Sequence, residues 1–220
     1  LEHDKKNRLS EIDKKLIELG ILFSENIAKD KTELQFSKDE LRGLSKNELT
    51  NLSKSGEKFV ITMAYPDINA VTENCTVRKT RETTWKAFNN RAVNENSRIL
   101  KEAVVLRNEK AGLFGFKTWA DYRLQNRMAK SPKNVKAMYD DLIPKLHKAA
   151  ELEKKKLVID DIAIEEIAPW DIRYFISSER SKVSNIENSE LKKYFFIHDV
   201  KIEMFKVCLL YTSDAADETC

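Results

Sequence analysis

Ile12, Leu16, Leu19 and Phe23 recur at helical spacing, with Lys5, Lys6, Glu11, Asp13, Lys14 and Lys15 between them. One apolar stripe and one charged face predict an amphipathic helix from Leu9 onward. The texture changes after Asp30. Leu34 and Phe36 read as a short extended piece, and Ser37-Lys38-Asp39-Glu40 and Ser45-Lys46-Asn47-Glu48 each read as a capping box opening a short helix. The run from Phe59 to Tyr65 is rich in β-branched and aromatic residues, follows Ser55-Gly56 and precedes Pro66. It predicts a strand stopped by the proline, in a small sheet with the Leu34 to Phe36 piece.

Beyond it the pattern is helical. Trp85, Phe88 and Ala92 share one face, and Ile99, Ala103 and Leu106 follow on a second stretch. Two long helices are predicted between Val77 and Phe116, closing at Gly112 and Gly115. Thr118 can cap a third helix running through Ala129, and Ser131-Pro132 supplies an N-cap followed by proline at the first helical position. The helix begun there places Val135, Met138, Tyr139, Leu142 and Leu146 inward, and Pro144 should break it by removing a backbone donor. After Ala168-Pro169, Trp170 to Arg180 reads as a further helix with Tyr174 and Phe175 as buried aromatics. The expected class is mainly α with one short β element, and no internal repeat is visible.

Composition supports this class: 220 residues hold only 5 Gly and 4 Pro, and 34% are charged. The 39 basic and 36 acidic residues leave a net charge of +3, too little to argue for a polyanionic partner. Cys75, Cys208 and Cys220 form no CxxC pair, so neither a disulfide framework nor a structural zinc site is suggested. No stretch approaches the roughly 20 apolar residues of a membrane span, and Leu1 to Arg8 is too polar for a signal peptide. The expected address is cytoplasmic, with the chain a partial one whose true start lies upstream of Leu1. Its end is of another kind. Cys208 to Glu218 resembles the translation of a transposon-type sequencing adapter, so authentic sequence is expected to stop near Val207.

Candidate chemistry is sparse. His3, His147 and His198 are far apart, and HExxH, which sets two His and a Glu on one helix face around a zinc-bound water, is absent. His147 and Glu151 have i, i+4 spacing amid lysines and read as a solvated pair, as do His198 and Asp199. Cys75 has Arg78 nearby in sequence but no flanking His to activate a thiolate. Gly112-Leu113-Phe114-Gly115 lacks the Lys-Ser/Thr of a phosphate loop and reads as a helix C-cap. Asp140-Asp141 and Glu165-Glu166 sit at adjacent positions that diverge by about 100° on a helix, so neither pair serves one site. Lys130 to Lys156 holds eight lysines against four acids but no Arg and a single aromatic, Tyr139. Phosphate clamping and base stacking both lack their usual residues, and a solvated helix face is expected in place of a nucleic-acid site.

Phe59 to Pro66, Asn74-Cys75, Arg81, Ala87-Phe88-Asn89-Asn90-Arg91 and Glu95-Asn96 occur in a distinctive order. Ile99-Leu100-Lys101-Glu102, Leu106-Arg107, Leu113 to Phe116, Ala120-Asp121-Tyr122 and Met128 to Ser131 continue it. Pro169-Trp170-Asp171, Arg173-Tyr174, Leu191 and Tyr194-Phe195 carry it nearly to Val207, and Phe36-Ser37 with Glu40 to Leu44 extend it backward. In this order the chain resembles the thimet oligopeptidase, neurolysin and saccharolysin family of zinc metallopeptidases. Ser181 to Ser189 matches more loosely, and Leu157 to Ala168 is more acidic and β-branched than the resemblance implies.

The resemblance implies a helical, two-lobed peptidase with a deep channel for short peptides. It divides the chain into an N-terminal helical segment with a short strand pair (1–75), the beginning of the catalytic region (76–207) and the adapter-like tail (208–220). HExxH and a further Glu ligand would lie C-terminal to what is present. The resemblance therefore assigns no catalytic or metal residue here, puts zinc in the full-length parent and none on this chain, and leaves substrate-binding residues unknown. Expected partners are short peptides for the parent and a missing C-terminal lobe, with no nucleic acid and no membrane; a mitochondrial parent is the alternative address. The competing reading is a non-catalytic helical interaction module derived from the same fold.

Overall fold

A computed structural model describes residues 3–154, 167–184 and 194–217. The amphipathic run at the start forms α1 (His3–Ala28), with Ile12 and Leu19 buried. β1 (Glu33–Phe36) follows, then α2 (Lys46–Asn51), β2 (Ser53–Ser55) and β3 (Lys58–Thr62). The sheet is antiparallel in the order β1-β3-β2, with Leu34 opposite Ile61, Phe36 opposite Phe59 and Ser53 opposite Val60. β3 is central, which is why Phe59, Val60 and Ile61 are all buried although alternate side chains face opposite ways. Beneath the sheet Phe36, Leu41, Leu44, Phe59, Ile61, Ile68, Val71 and Cys75 form one hydrophobic core.

Ser45 makes both bonds of the expected capping box: its side chain accepts from the Glu48 N–H, and the Glu48 carboxylate accepts from the Ser45 N–H at 2.8 Å. Ser37 and Glu40 make the equivalent pair of bonds, yet residues 38–43 form successive turns and no helix. Gly43, at φ +101°, turns the chain there so that the Arg42 carbonyl accepts from the Thr76 N–H at 2.8 Å. Close approach to another segment overrides the local helix signal.

The strand expected through Tyr65 ends at Thr62, and Tyr65 and Pro66 open α3 (Tyr65–Asn74) instead. The Asp67 carboxylate accepts from the Thr62 N–H at 2.9 Å and from its hydroxyl at 2.7 Å, so the first turn of the helix holds the end of the strand. Proline at N1 or N2 forfeits only an N–H that has no partner within the helix.

α4 (Arg78–Asn89) and α5 (Val93–Leu113) are the two expected helices, separated by Ala92 at φ +51°. α5 runs antiparallel to α1 and packs on it through Ile99 and Asn96. The Asn96 side chain donates to the Phe23 carbonyl at 3.0 Å and accepts from the Asn26 side chain at 2.9 Å. The expected C-cap is a Schellman motif: the Phe116 N–H donates to Ala111 O and the Gly115 N–H to Gly112 O, with Gly115 at φ +79°. α6 (Trp119–Leu124) is shorter than expected. Residues 125–129 continue as turns that lead to Lys130 at φ +63°, where the Asn134 side chain donates to the Ala129 carbonyl.

α7 (Pro132–Lys154) overturns two expectations. It runs unbroken through Pro144, and none of its residues is buried. Met138, Tyr139, Leu142 and Leu146 are exposed instead of turned inward. Pro144 withdraws a donor from the Asp140 carbonyl, but this lies on an exposed helix face where water replaces the lost bond.

α8 (Pro169–Ser184) and α9 (Ile197–Asp217) complete the described elements, and α9 has no break at Val207. Phe175 is buried as expected, whereas Tyr174 is half-buried. The chain divides into two units, Leu1–Tyr174 and Phe175–Cys220. In the second unit, α9 exposes Val200, Ile202, Met204 and Phe205. The fold is thus mainly α with one small sheet.

Candidate functional site

The most constrained chemistry in the first unit is a cluster of charges. Arg78 and Arg81, three residues apart on α4, share a helix face. Asp171 occupies the first turn of α8, where a carboxylate also complements the helix dipole. Its side chain accepts from the Ala168 N–H at 3.1 Å, satisfying a group at the helix start. Arg81 Nη2 donates to Asp171 Oδ1 at 2.8 Å, and Arg78 Nη2 donates to Oδ2 at 2.9 Å. The second nitrogen of Arg81, Nη1, donates to the carbonyls of Cys75 at 2.8 Å and Thr76 at 3.2 Å. The Tyr174 ring lies 4.2 Å from the Arg81 guanidinium.

Asp171 is wholly buried and Arg81 is 2% exposed, while the Arg78 side chain keeps 38% of its surface. Burial alone would raise the Asp171 carboxyl; hydrogen bonds from Arg78, Arg81 and the Ala168 N–H outweigh it and hold the group below the usual carboxylate range. Arg81 Nε and Thr84 Oγ1 are buried without a hydrogen-bond partner among the described residues. The buried residues of α4 are therefore Thr80, Arg81 and Thr84, whereas the expected aromatics are half-buried. Trp85 meets Trp170 edge-on at 5.9 Å, and Phe88 meets Tyr65 at 5.5 Å. In chemical terms the cluster is a latch. Among the described residues its bonds fix α4, the α3–α4 turn and the start of α8, and they set no nucleophile beside a base.

His3, His147, Glu151, His198 and Asp199 are exposed, and Glu151 pairs with Lys154 at 3.1 Å. Asp140 pairs with Lys136 and Asp141 with Lys145, each at 2.7 Å, so part of the basic stretch is internally paired. Glu165-Glu166 lies outside the described residues. The Cys75 thiol is buried, within 3.3 Å of the Glu40 carbonyl, and burial pushes its pKa up. Among the described residues no three His, Cys, Asp or Glu side chains form a group that could hold a metal ion. The zinc implied by the resemblance for the parent fits no set of ligands among those residues. A cleft of about 500 Å³ opens between the end of α1 and the β3–α3 turn. Its Asp30 already accepts from the Thr32 and Ala92 N–H groups, and its Arg91 Nε donates to the Phe88 carbonyl, so both of these charged side chains are engaged in holding the local backbone.

Sequence reading missed the latch. Arg78 and Arg81 stand 93 and 90 positions from Asp171, and the one local signal was Pro169-Trp170-Asp171 reading as a helix start. All three charged residues fall within the segment, residues 71–211, that matches the sequence model of peptidase family M3. The chain is 32% identical over 212 residues to the thimet-like oligopeptidase of Dictyostelium discoideum, covering 89% of this chain and 31% of that protein. It is 32% identical to saccharolysin of Saccharomyces cerevisiae (89% of this chain, 30% of that protein). Oligopeptidase A of Escherichia coli is 28% identical, with 89% of this chain and 32% of that protein covered. The chain thus spans about a third of the length of these relatives. The family model covers well over half of the chain, from the end of α3 into α9, and on that match the chain belongs to peptidase family M3.

Proposed function

We propose that this chain is a scaffold segment of a zinc-dependent metalloendopeptidase that hydrolyses short peptides, and that the segment alone is inactive. The observation that carries this reading is the match to the M3 family over residues 71–211 in a chain without HExxH. In such a parent, zinc would polarise water and a Glu would take its proton, and both the zinc ligands and that Glu would come from residues outside this chain. Residues 1–75 form the N-terminal segment, residues 76–207 the beginning of the catalytic region, and residues 208–220 an adapter-like tail. The parent is cytoplasmic or mitochondrial, and this segment's partner within it is the C-terminal lobe. No described helix is long and apolar enough to cross a membrane.

Purified chain should not hydrolyse a quenched fluorescent oligopeptide, with or without added zinc. Hydrolysis abolished by a chelator would overturn the scaffold reading. Sequencing the source transcript through the codon for Val207 tests the parent: HExxH with a later Glu supports the peptidase. A stop codon within a few residues would make the chain a non-catalytic interaction module.

A further inference from the structure

Among the described residues α7 displays an apolar face that is exposed apart from half-buried Val135. Val135, Met138, Tyr139, Leu142, Ile143 and Leu146 fall within an arc of about 140° at 100° per residue. Met138 is 54% exposed, Ile143 46% and Leu146 55%. Away from the stripe the helix is finished for water: Asp140 is paired with Lys136, and Pro144, about 180° from the middle of the stripe, leaves the Asp140 carbonyl without its intrahelical donor. A helix polar on one side and continuously apolar on the other is built to lie against protein. α7 lies wholly inside the M3 match, and the relatives carry roughly twice as much chain again as the segment matched here.

We infer that this stripe is the surface on which the remaining polypeptide of the M3 parent docks, an inference that rests on the proposed function. The occupant presents an apolar groove or helix face, with its polar groups confined to the rim opposite Lys136 and Lys145. The two sides bury the stripe as an amphipathic helix is buried in a groove.

The test places cysteine at the stripe (Leu142→Cys) or on the far face (Lys133→Cys). The chain is then mixed with the part of the Dictyostelium thimet-like oligopeptidase that follows the matched segment. Alkylation at each site is located by mass spectrometry, and hydrolysis of a quenched oligopeptide is followed in parallel. Labelling at position 142 should fall at least tenfold on mixing, with position 133 unchanged, and Leu142→Lys should abolish the complex. Restored hydrolysis with position 142 still labelled overturns the docking surface and leaves the proposed function standing. Protection without hydrolysis upholds the surface and counts against the function. Protection that grows with concentration in the chain alone, or no complex at all, overturns the inference, the former in favour of a second copy as occupant.

Discussion

Arg81 and Asp171 meet at 2.8 Å with almost no surface between them exposed to water, although ninety positions separate them in the chain. A buried pair of this kind is costly to break because the surviving charge keeps its burial and loses its partner. Asp171→Ala should therefore lower stability by roughly 3–5 kcal/mol. Arg78→Ala should cost about 1 kcal/mol, because that side chain is partly solvated. Chemical denaturation midpoints of the two variants measure the difference, and equal shifts would show that burial is not the deciding factor.

The same pair sets an acid limit. The folded carboxyl of Asp171 is held below its ordinary value, so its stabilisation is fully present above about pH 4 and is lost as pH falls through the depressed value. Stability should be flat in this contribution at neutral pH and decline below pH ~4. Asp171→Asn should be less stable than the parent chain at pH 7 and lose part of the acid slope. Denaturation at a series of pH values checks both the sign and the window.

Gly43 and Gly20 should respond oppositely to alanine. A Cβ at Gly43 would lie 2.1 Å from the Asn74 carbonyl oxygen, on a backbone at φ +101° that L-residues rarely adopt. Gly43→Ala should cost on the order of 2 kcal/mol or more. At Gly20, inside α1, nothing lies within 4 Å, and alanine should add about 0.5–1 kcal/mol of stability. Thermal melts of both variants distinguish a required glycine from an incidental one.

Thiol reactivity should follow burial. Cys75 is fully buried with its pKa raised, whereas Cys208 is exposed. Under native conditions an aromatic disulfide reagent should label Cys208 promptly and Cys75 only on unfolding. Rapid native labelling of Cys75 would mean that the core under the sheet opens readily.

Pro144→Ala restores an N–H to the interior of α7 and relieves the crowding of the preceding turn. The variant should be more stable by roughly 1–3 kcal/mol and more helical by circular dichroism. An unchanged melt would show that the end of α7 frays independently of the rest.

Much of the fold was legible because its causes are local. The spacing of Ile12, Leu16, Leu19 and Phe23 defined α1, Ser45 and Glu48 capped α2, and Gly115 closed α5. Motif order likewise pointed to the M3 family. The errors arose where contacts and exposure outside the repeating pattern decided. Asp67 ended the strand at Thr62, and Gly43 was drawn against Asn74 to Thr76 where a helix had been signalled. Pro144 marked a break that an exposed helix face did not require.

Periodicity and caps determined which stretches are helical or extended, because those preferences act over a few residues. Tertiary structure alone decided what each element faces. The α7 stripe is apolar in sequence, yet no packing partner covers it among the described residues. The buried face of α4 carries Thr80, Arg81 and Thr84, residues that a hydrophobic pattern assigns to the surface. Arg81 stays buried with its charge neutralised by Asp171, which arrives from ninety positions away, and a one-dimensional pattern contains no term for that encounter.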